Sequence, residues 1–389
     1  MRCVAFTKGS TTRRLAADLA RTMSLASLAA FAAVLPTSTD AQGRGVSAPR
    51  PVARAASAAT RLAADSVARQ TIAPGVEHAR YVRNAGPLII NVVRIDRRTA
   101  SVSIEHGRAK DALTGRETTS SIVQRRTAKG AQVLVAVNAD FFNLKTGESE
   151  NNQVVAGEWW KGQKVTDSPY DTFRNPHIQF GVDGRGAPLI DRFVFEGVAM
   201  GGGHRLPILT LNSNPSGTPE GTAFYTWRFG TVTPRDTSRA TAELALIEAG
   251  HRGDTLMYVR RGAPLDVVIG GWPRILRDGV DVSSRAAADE GTISRNAEAR
   301  HPRTAVGFSR DSSVLYLVTV DGRSAKSVGV TLEELSGLMH ELGAAHAMNF
   351  DGGGSTTMVV RGKIVNTPSD PTGEREIGSA LLVLAKTKP

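Results

Sequence analysis

Residues 346–361 constrain the fold most, because a short apolar run there is followed by three consecutive glycines and then by a second β-type run. The glycines at 352–354 have no Cβ atoms, so the backbone can adopt positive φ angles and a ligand can approach it closely. Asp351 stands where the first run ends, and Ser355 follows the glycines. The pattern predicts two strands joined by an open loop with a carboxylate at its edge. A tight turn capped by Asp351 is the structural alternative.

Short β-type runs separated by turn residues extend over most of the chain, for example at 87–95, 133–138 and 313–320. Helical patterns are few. The clearest begins at Thr331, which has capping-box spacing to Glu334 and precedes an apolar stripe of leucines. We therefore expect an α+β fold, with a mixed or antiparallel sheet packed against a few helices in a single domain over residues 76–389.

The first 75 residues differ in composition from the rest of the chain. Residues 1–41 have a basic beginning, an apolar run and a small-x-small pattern, which predicts an export signal and a periplasmic or extracellular protein. The apolar run is too short for a comfortable membrane span, so we expect none in the mature chain. A retained signal anchor is the alternative. Residues 42–75 are rich in Ala and Arg and read as a linker.

The charge balance favours an anionic partner. The formal net charge is +11 over 389 residues, which suits a phosphodiester or an acidic glycan. Basic and aromatic residues are not interleaved as in single-strand binders, so nucleic acid is not the expected ligand. The single cysteine, Cys3, lies in the predicted signal, which leaves the mature chain without disulfides. Nothing in the sequence indicates an oligomeric state.

Three predicted strands end in an aspartate beside glycine or aromatic residues, and arginines flank the same motifs. The aspartates are Asp140, Asp321 and Asp351, and the arginines are Arg303, Arg323 and Arg375. Carboxyl groups can transfer protons, and guanidinium groups bind phosphate oxygens in two-point contacts. Each aspartate alone is explained by a turn cap, and each arginine alone by a surface ion pair. Their repeated placement at strand ends predicts one joint site.

A metal site is the competing use of the same aspartates. Their carboxylates, with the side-chain carbonyls of Asn138 and Asn349, are ligand types that suit Ca²⁺ or Mg²⁺. However, there is no Asp-x-Asp-x-Asp loop, and His340-Glu341 lacks the second histidine of a zinc-protease motif. We expect no metal and no other cofactor, with Ca²⁺ or Mg²⁺ as the alternative.

The order and spacing of the motifs resemble the phosphodiester glycosidase family over about residues 85–385. Bacterial members of this family are often labelled with exopolysaccharide biosynthesis. The motifs that carry the resemblance lie at residues 137–142, 301–307, 321–324, 329–335, 349–356 and 375–380. Ala139 and Asp140 stand where the family often has two glycines. Residues 183–265 read as a longer, family-variable insertion.

The resemblance implies an exported hydrolase that cleaves the glycosidic side of a sugar-1-phosphodiester, such as an N-acetylglucosamine phosphodiester of envelope or extracellular glycans. Asp351 is then the leading acid–base or nucleophile candidate, with Asp140 or Asp321 as its partner. The candidate substrate-binding residues are Asn138, Arg303, Arg323, Asn349, Gly352, Gly353, Gly354, Ser355 and Arg375. A non-catalytic envelope glycan-binding module and a metal-dependent phosphodiesterase are the alternatives.

Overall fold

The structure is a computed structural model. It describes residues 62–163, 177–193, 195, 197–201, 204–213, 222–229, 264–291 and 298–386. The predicted export signal at 1–41 and most of the predicted linker lie outside the described residues, and so does much of the predicted insertion at 183–265.

Strands dominate the described chain. The first ten are β1 (Ser66–Ala73), β2 (Val76–Arg83), β3 (Leu88–Asp96), β4 (Val102–Arg108), β5 (Val133–Asn138), β6 (Gln153–Val155), β7 (Glu158–Gln163), β8 (Gln179–Asp183), β9 (Pro188–Asp191) and β10 (Gly197–Gly201). The others are β11 (His204–Leu211), β12 (Thr222–Phe224), β13 (Leu265–Gly270), β14 (Arg274–Arg277), β15 (Val280–Asp281), β16 (Arg303–Phe308), β17 (Val314–Val320), β18 (His346–Asn349), β19 (Met358–Val360), β20 (Lys363–Ile364) and β21 (Ser379–Ala385).

The α-helices of the described residues are short. They are α1 (Thr119–Ala128), α2 (Ala286–Glu290) and α3 (Leu332–Glu341). The capping box predicted for α3 is confirmed, since the Thr331 hydroxyl accepts from the Glu334 N–H and the Glu334 carboxylate accepts from the Thr331 N–H. Within the described ranges, none of these helices has the length and hydropathy that a membrane crossing requires.

The strands form three sheets rather than the one sheet that we expected. The first has the order β1-β2-β3-β17-β16-β18-β14-β15, and the third has the order β20-β19-β5-β21-β4. The second runs β10-β11-β7-β6-β13-β8-β9, with β12 added beside β11. Every described ladder is antiparallel except the β11–β12 pair. The sheet-rich architecture with few helices agrees with the expected class.

Strand alternation explains how the first and third sheets bury both faces. In β17, Leu315 and Leu317 point into a core shared by strands of all three sheets, whereas Tyr316 and Val318 point into a second cluster that contains α3. In β21, Leu381 joins the shared core, and its neighbouring residues pack with α1 instead. The shared core therefore holds the first and third sheets together, with a helix on the outer face of each.

The domain boundary predicted at residue 76 is wrong. Residues 66–73, which were assigned to a linker, form β1 and pair with β2 along seven positions. Most of β1 is exposed, but Ile72 is buried in the shared core. The alanine- and arginine-rich composition concealed this strand, because an edge strand needs few apolar residues.

Candidate active site

The glycine-rich loop connects the first sheet to the third. It begins after Asn349, the last residue of β18, and ends before Met358, the first residue of β19. Two backbone hydrogen bonds hold it: the Asp351 N–H donates to the Ala139 carbonyl at 2.8 Å, and the Gly353 N–H donates to the Pro302 carbonyl at 2.9 Å. Gly353 has a φ of +58°, which glycine adopts without strain. The predicted strand–loop–strand element is confirmed.

A cleft of about 210 Å³ opens beside this loop. Its lining residues come from both sheets and from the loop, and they are Phe141, Trp272, His301, Arg303, Arg323, Asn349, Asp351, Gly352, Gly353, Gly354 and Arg375. The structure therefore brings together eight of the residues that the sequence singled out. Their functional roles stay predictions.

Asp351 is the carboxylate of the cleft. Its side chain is partly exposed, and burial raises its pKa to about 6, although the nearby Arg375 guanidinium acts in the opposite direction. The Asn138 amide donates to the Asp351 carbonyl at 2.6 Å and so fixes the backbone that carries the side chain. A carboxyl with this pKa changes protonation near neutral pH, as proton transfer requires.

The three arginines of the cleft are held differently. Arg303 is buried, and it donates to the carbonyls of Val330 and Ala299 at 3.2 and 3.1 Å. Burial, together with the like charge of Arg323, lowers the pKa of Arg303 to about 10, so the side chain stays charged at neutral pH. Arg323 is exposed and lies over the loop, since a Cβ at Gly353 would stand 2.9 Å from its Nη2.

Arg375 is oriented by a two-point contact with Asp370. Its Nε and Nη2 donate to the two carboxylate oxygens at 2.7 and 3.0 Å. This pair packs directly on Gly354, where a Cβ would stand 2.0 Å from Asp370 Oδ1. The glycine is therefore required by close packing, and the pair fixes where the guanidinium meets the cleft.

Three lining residues were not among the sequence candidates: Phe141, Trp272 and His301. Burial, with the charges of Arg303 and Arg323, lowers the pKa of His301, so the imidazole is neutral at pH 7. A signal for His301 existed, since it stands two positions before Arg303 and alternate residues of extended chain share a face. Phe141 is only partly buried, whereas the neighbouring Phe142 is buried.

Asp321, which the sequence analysis grouped with Asp351 as a catalytic partner, does not line the cleft. Its two carboxylate oxygens accept the Thr367 N–H at 3.2 and 3.1 Å, and the residue is buried. The strand end does carry an aspartate as predicted, but this carboxylate is occupied in holding a neighbouring segment.

Asp140 also lies outside the cleft lining. It is 1% exposed and accepts from Asn151 Nδ2 at 2.7 Å and from the Asn151 N–H at 3.3 Å. Burial raises the pKa of Asp140 to about 7. Because the residue is buried and does not line the cleft, a substrate in the cleft has no direct access to it.

Asn138 and Ser355 are likewise buried away from the cleft lining. Asn138 Oδ1 accepts from the Thr304 hydroxyl at 2.7 Å and from the Thr357 N–H at 3.1 Å. Together with its bond to Asp351, these contacts tie β5 of the third sheet to β16 of the first. We therefore reassign Asn138 from sugar binding to bracing of the loop. Ser355 is fully buried in the 3₁₀ turn Gly353–Ser355.

The three aspartates do not converge as the metal alternative required. Among the described residues, no group of three or more His, Cys, Asp or Glu side chains is placed to hold a metal ion. Asn349 lines the cleft with Asp351, whereas Asp140, Asp321 and Asn138 are committed to the contacts above.

Comparison with known proteins relates part of the chain to one family. The phosphodiester glycosidase model matches residues 212–384, a range that contains every lining residue of the cleft except Phe141. The chain is 32% identical over 117 residues to the SPbeta prophage-derived uncharacterized protein YomE of Bacillus subtilis (strain 168), which covers 30% of this chain and 17% of that protein. It is 30% identical over 114 residues to the N-acetylglucosamine-1-phosphodiester alpha-N-acetylglucosaminidase of Mus musculus, covering 28% of this chain and 22% of that enzyme.

These matches span about a fifth of the length of the curated relatives. A crystal structure of a hypothetical protein from Synechocystis shares the fold, with a TM-score of 0.60 and 21% identity over 80% of this chain and 62% of that one. Residues 212–384 of this chain are thus similar to the phosphodiester glycosidase family.

Proposed function

We propose that this protein is an exported hydrolase that cleaves the glycosidic side of a sugar-1-phosphodiester in envelope or extracellular glycans. One observation carries the proposal: Asp351, whose pKa is raised to about 6, shares a cleft with three guanidinium groups. The guanidiniums belong to Arg303, Arg323 and Arg375. Such a cleft suits a ligand that carries an anion beside a bond that needs proton transfer.

In the proposed reaction, Arg303 and Arg323 bind the phosphate of the substrate. The bond between the anomeric carbon and the phosphate oxygen breaks, and its electron pair leaves with the phosphate. A water oxygen bonds to the anomeric carbon, and Asp351 takes the proton of that water. The phosphomonoester leaves as an anion that the arginines stabilise, so it needs no proton from an acid. Asp140 and Asp321 have no step in this scheme, because neither lines the cleft.

Release of N-acetylglucosamine from a phosphodiester, measured with and without EDTA, tests the proposal. We expect release that EDTA does not change and that falls by about 10³-fold or more in Asp351→Asn, since a variant without the base loses most of its catalysis. Asp278→Asn is the matched control, because Asp278 is an exposed aspartate outside the cleft. Equal release by Asp351→Asn and wild type would remove Asp351 from the mechanism.

The same assay separates the two alternatives. Binding of the phosphodiester without turnover would indicate a glycan-binding module. Turnover that EDTA abolishes and Ca²⁺ or Mg²⁺ restores would indicate a metal-dependent phosphodiesterase.

Export is proposed from the composition of residues 1–41, and amino-terminal sequencing tests it. The mature protein recovered from the periplasm or the medium should begin near residue 42. A full-length chain retained in the cytoplasm would contradict export without affecting the proposed reaction.

A further inference from the structure

The residues that line the cleft fall into two chemical groups. One is cationic or titratable and consists of His301, Arg303, Arg323, Asp351 and Arg375. The other carries no charge and consists of Phe141, Trp272 and Asn349. The first group suits the phosphodiester, and the second, with two aromatic rings and one amide, has the composition of a sugar-binding site.

Two hydrogen bonds join Trp272 to Asn349, and a third joins Asn349 to Pro273. The Trp272 N–H donates to the Asn349 carbonyl at 3.0 Å, and the Asn349 N–H donates to the Pro273 carbonyl at 3.0 Å. The Asn349 side-chain amide donates to the Trp272 carbonyl at 2.7 Å. The close backbone approach requires Gly271, where a Cβ would stand 2.6 Å from the Asn349 carbonyl. The two side chains are therefore fixed before any ligand arrives.

This arrangement leaves one acceptor and one donor without a protein partner. Because Asn349 Nδ2 is committed to Trp272, the orientation of the amide is set and Oδ1 is the remaining acceptor. Neither Asn349 Oδ1 nor Trp272 Nε1 has a hydrogen-bond partner in the described part of the chain, although the residues are only 1% and 4% exposed. An unpaired buried donor or acceptor is costly, and a ligand that pairs with it removes that cost.

Asn138 shows the contrast with a purely structural amide. It is equally buried, but its oxygen accepts two hydrogen bonds and its nitrogen donates one. Asn349 differs from Asn138 in that its side-chain oxygen has no protein partner within the described residues and the residue lines the cleft.

We propose that Trp272 and Asn349 determine sugar specificity, with the indole N–H donating to one polar substituent of the sugar and the amide oxygen accepting from another. The inference rests on the proposed function and deepens it. A sugar that offers both groups satisfies two buried polar atoms at once. A sugar that lacks one leaves a buried atom unpaired, which is how such sites reject close analogues.

Calorimetric binding of sugar 1-phosphates tests this without relying on turnover. The ligands are N-acetylglucosamine 1-phosphate, its 3-, 4- and 6-deoxy forms, and glucose 1-phosphate, which lacks the acetamido group. Wild-type protein should bind at least one of the modified ligands about tenfold or more weakly than the parent. In Trp272→Phe, which removes the indole N–H and keeps an aromatic ring, the loss for one such ligand should shrink to about twofold or less.

Asn349→Leu should remove the discrimination against a different ligand, and its folding is checked by its thermal unfolding midpoint. Trp227→Phe is the matched control, because Trp227 is 62% exposed and does not line the cleft. The inference would be overturned if both variants weakened the binding of every ligand by the same factor. It would also be overturned if wild-type protein bound all the modified ligands as tightly as the parent. Wild-type protein that discriminates among these sugar 1-phosphates but does not hydrolyse the phosphodiester would instead overturn the proposed function.

Discussion

At the scale of single residues, Asp351 sets the pH dependence that the proposed reaction should show. The scheme needs the ionised carboxylate, and the pKa of Asp351 is raised to about 6. We therefore expect kcat/KM to rise about tenfold per pH unit below pH 6 and to level off above it, because the fraction of ionised base sets the rate. Hydrolysis measured from pH 4 to 8 checks this. A profile that falls through pH 6 would show that the protonated form is the active one.

Arg303 and Arg323 should respond differently to truncation. Arg323 is exposed, so Arg323→Ala should weaken sulfate binding about tenfold while leaving the unfolding midpoint unchanged. Arg303 is buried and donates to the buried Val330 carbonyl, so Arg303→Ala should lower both sulfate affinity and stability. Calorimetry and thermal unfolding separate the two effects. Arg285→Ala is the control, since its side chain is 70% exposed and does not line the cleft. Unchanged sulfate affinity in Arg323→Ala would contradict the anion site.

At the scale of elements, the glycine loop is specified by what packs on it. A Cβ at Gly354 would stand 2.0 Å from Asp370 and 2.3 Å from Arg375 Nη2, so Gly354→Ala should displace the pair and reduce activity at least tenfold. Gly337→Ala in α3 is the matched control, because a Cβ there meets nothing within 4 Å. That control should be neutral or stabilising by up to about 1 kcal/mol. Full activity in Gly354→Ala would show that the position of Arg375 is not critical.

Strand β1 should contribute to stability although its composition is that of a linker. Ile72 is buried in the shared core, so Ile72→Ala should cost about 2–4 kcal/mol of unfolding free energy through the lost burial and the cavity left behind. Val67→Ala on the same strand should cost less than about 0.5 kcal/mol, because Val67 is exposed. Urea unfolding of both variants measures the difference. Equal, negligible effects would place the start of the folded unit after β1.

At the scale of the whole molecule, the buried carboxyl of Asp140 should make stability fall as pH rises. Its pKa is raised from 3.8 to about 7, so the folded state binds the proton more tightly than the unfolded state. The contribution of Asp140 to the free energy of unfolding is therefore complete below about pH 4 and is lost as pH rises through 7. This difference between the folded and unfolded pKa of Asp140 corresponds to a free energy of unfolding on the order of 4 kcal/mol. Asp351, whose pKa is raised to about 6, also makes stability fall as pH rises to about 6.

Urea unfolding at pH 5 and pH 8 measures this effect. Asp140→Asn should show a smaller loss of stability between the two values than wild type, because its side chain cannot ionise. Glu333→Gln, which alters an exposed carboxylate, should keep the wild-type pH dependence. An identical pH dependence in Asp140→Asn and wild type would show that Asp140 is ionised in the folded protein at both pH values.

Sequence reasoning succeeded where a feature depends on residues close in the chain. The capping box of α3 and the strand–loop–strand at residues 346–361 involve neighbours a few positions apart, and both are present. It failed for β1, whose place in the first sheet depends on pairing rather than on its own composition. It also expected one sheet, because alternation predicts strands but does not assign them to partners.

The sequence by itself determined the sheet-rich class, the glycine loop and the set of aspartates and arginines that lie near strand ends, since each follows from local pattern. Only the tertiary structure decided which of them share a cleft. Asp321 and Asp140 are occupied by backbone and side-chain donors, whereas Asp351 remains at the cleft surface. The brace that holds it there joins Asn138 to Asp351, 213 positions apart. Local pattern cannot specify such a contact, because the burial and pairing of a polar group depend on segments distant in the chain.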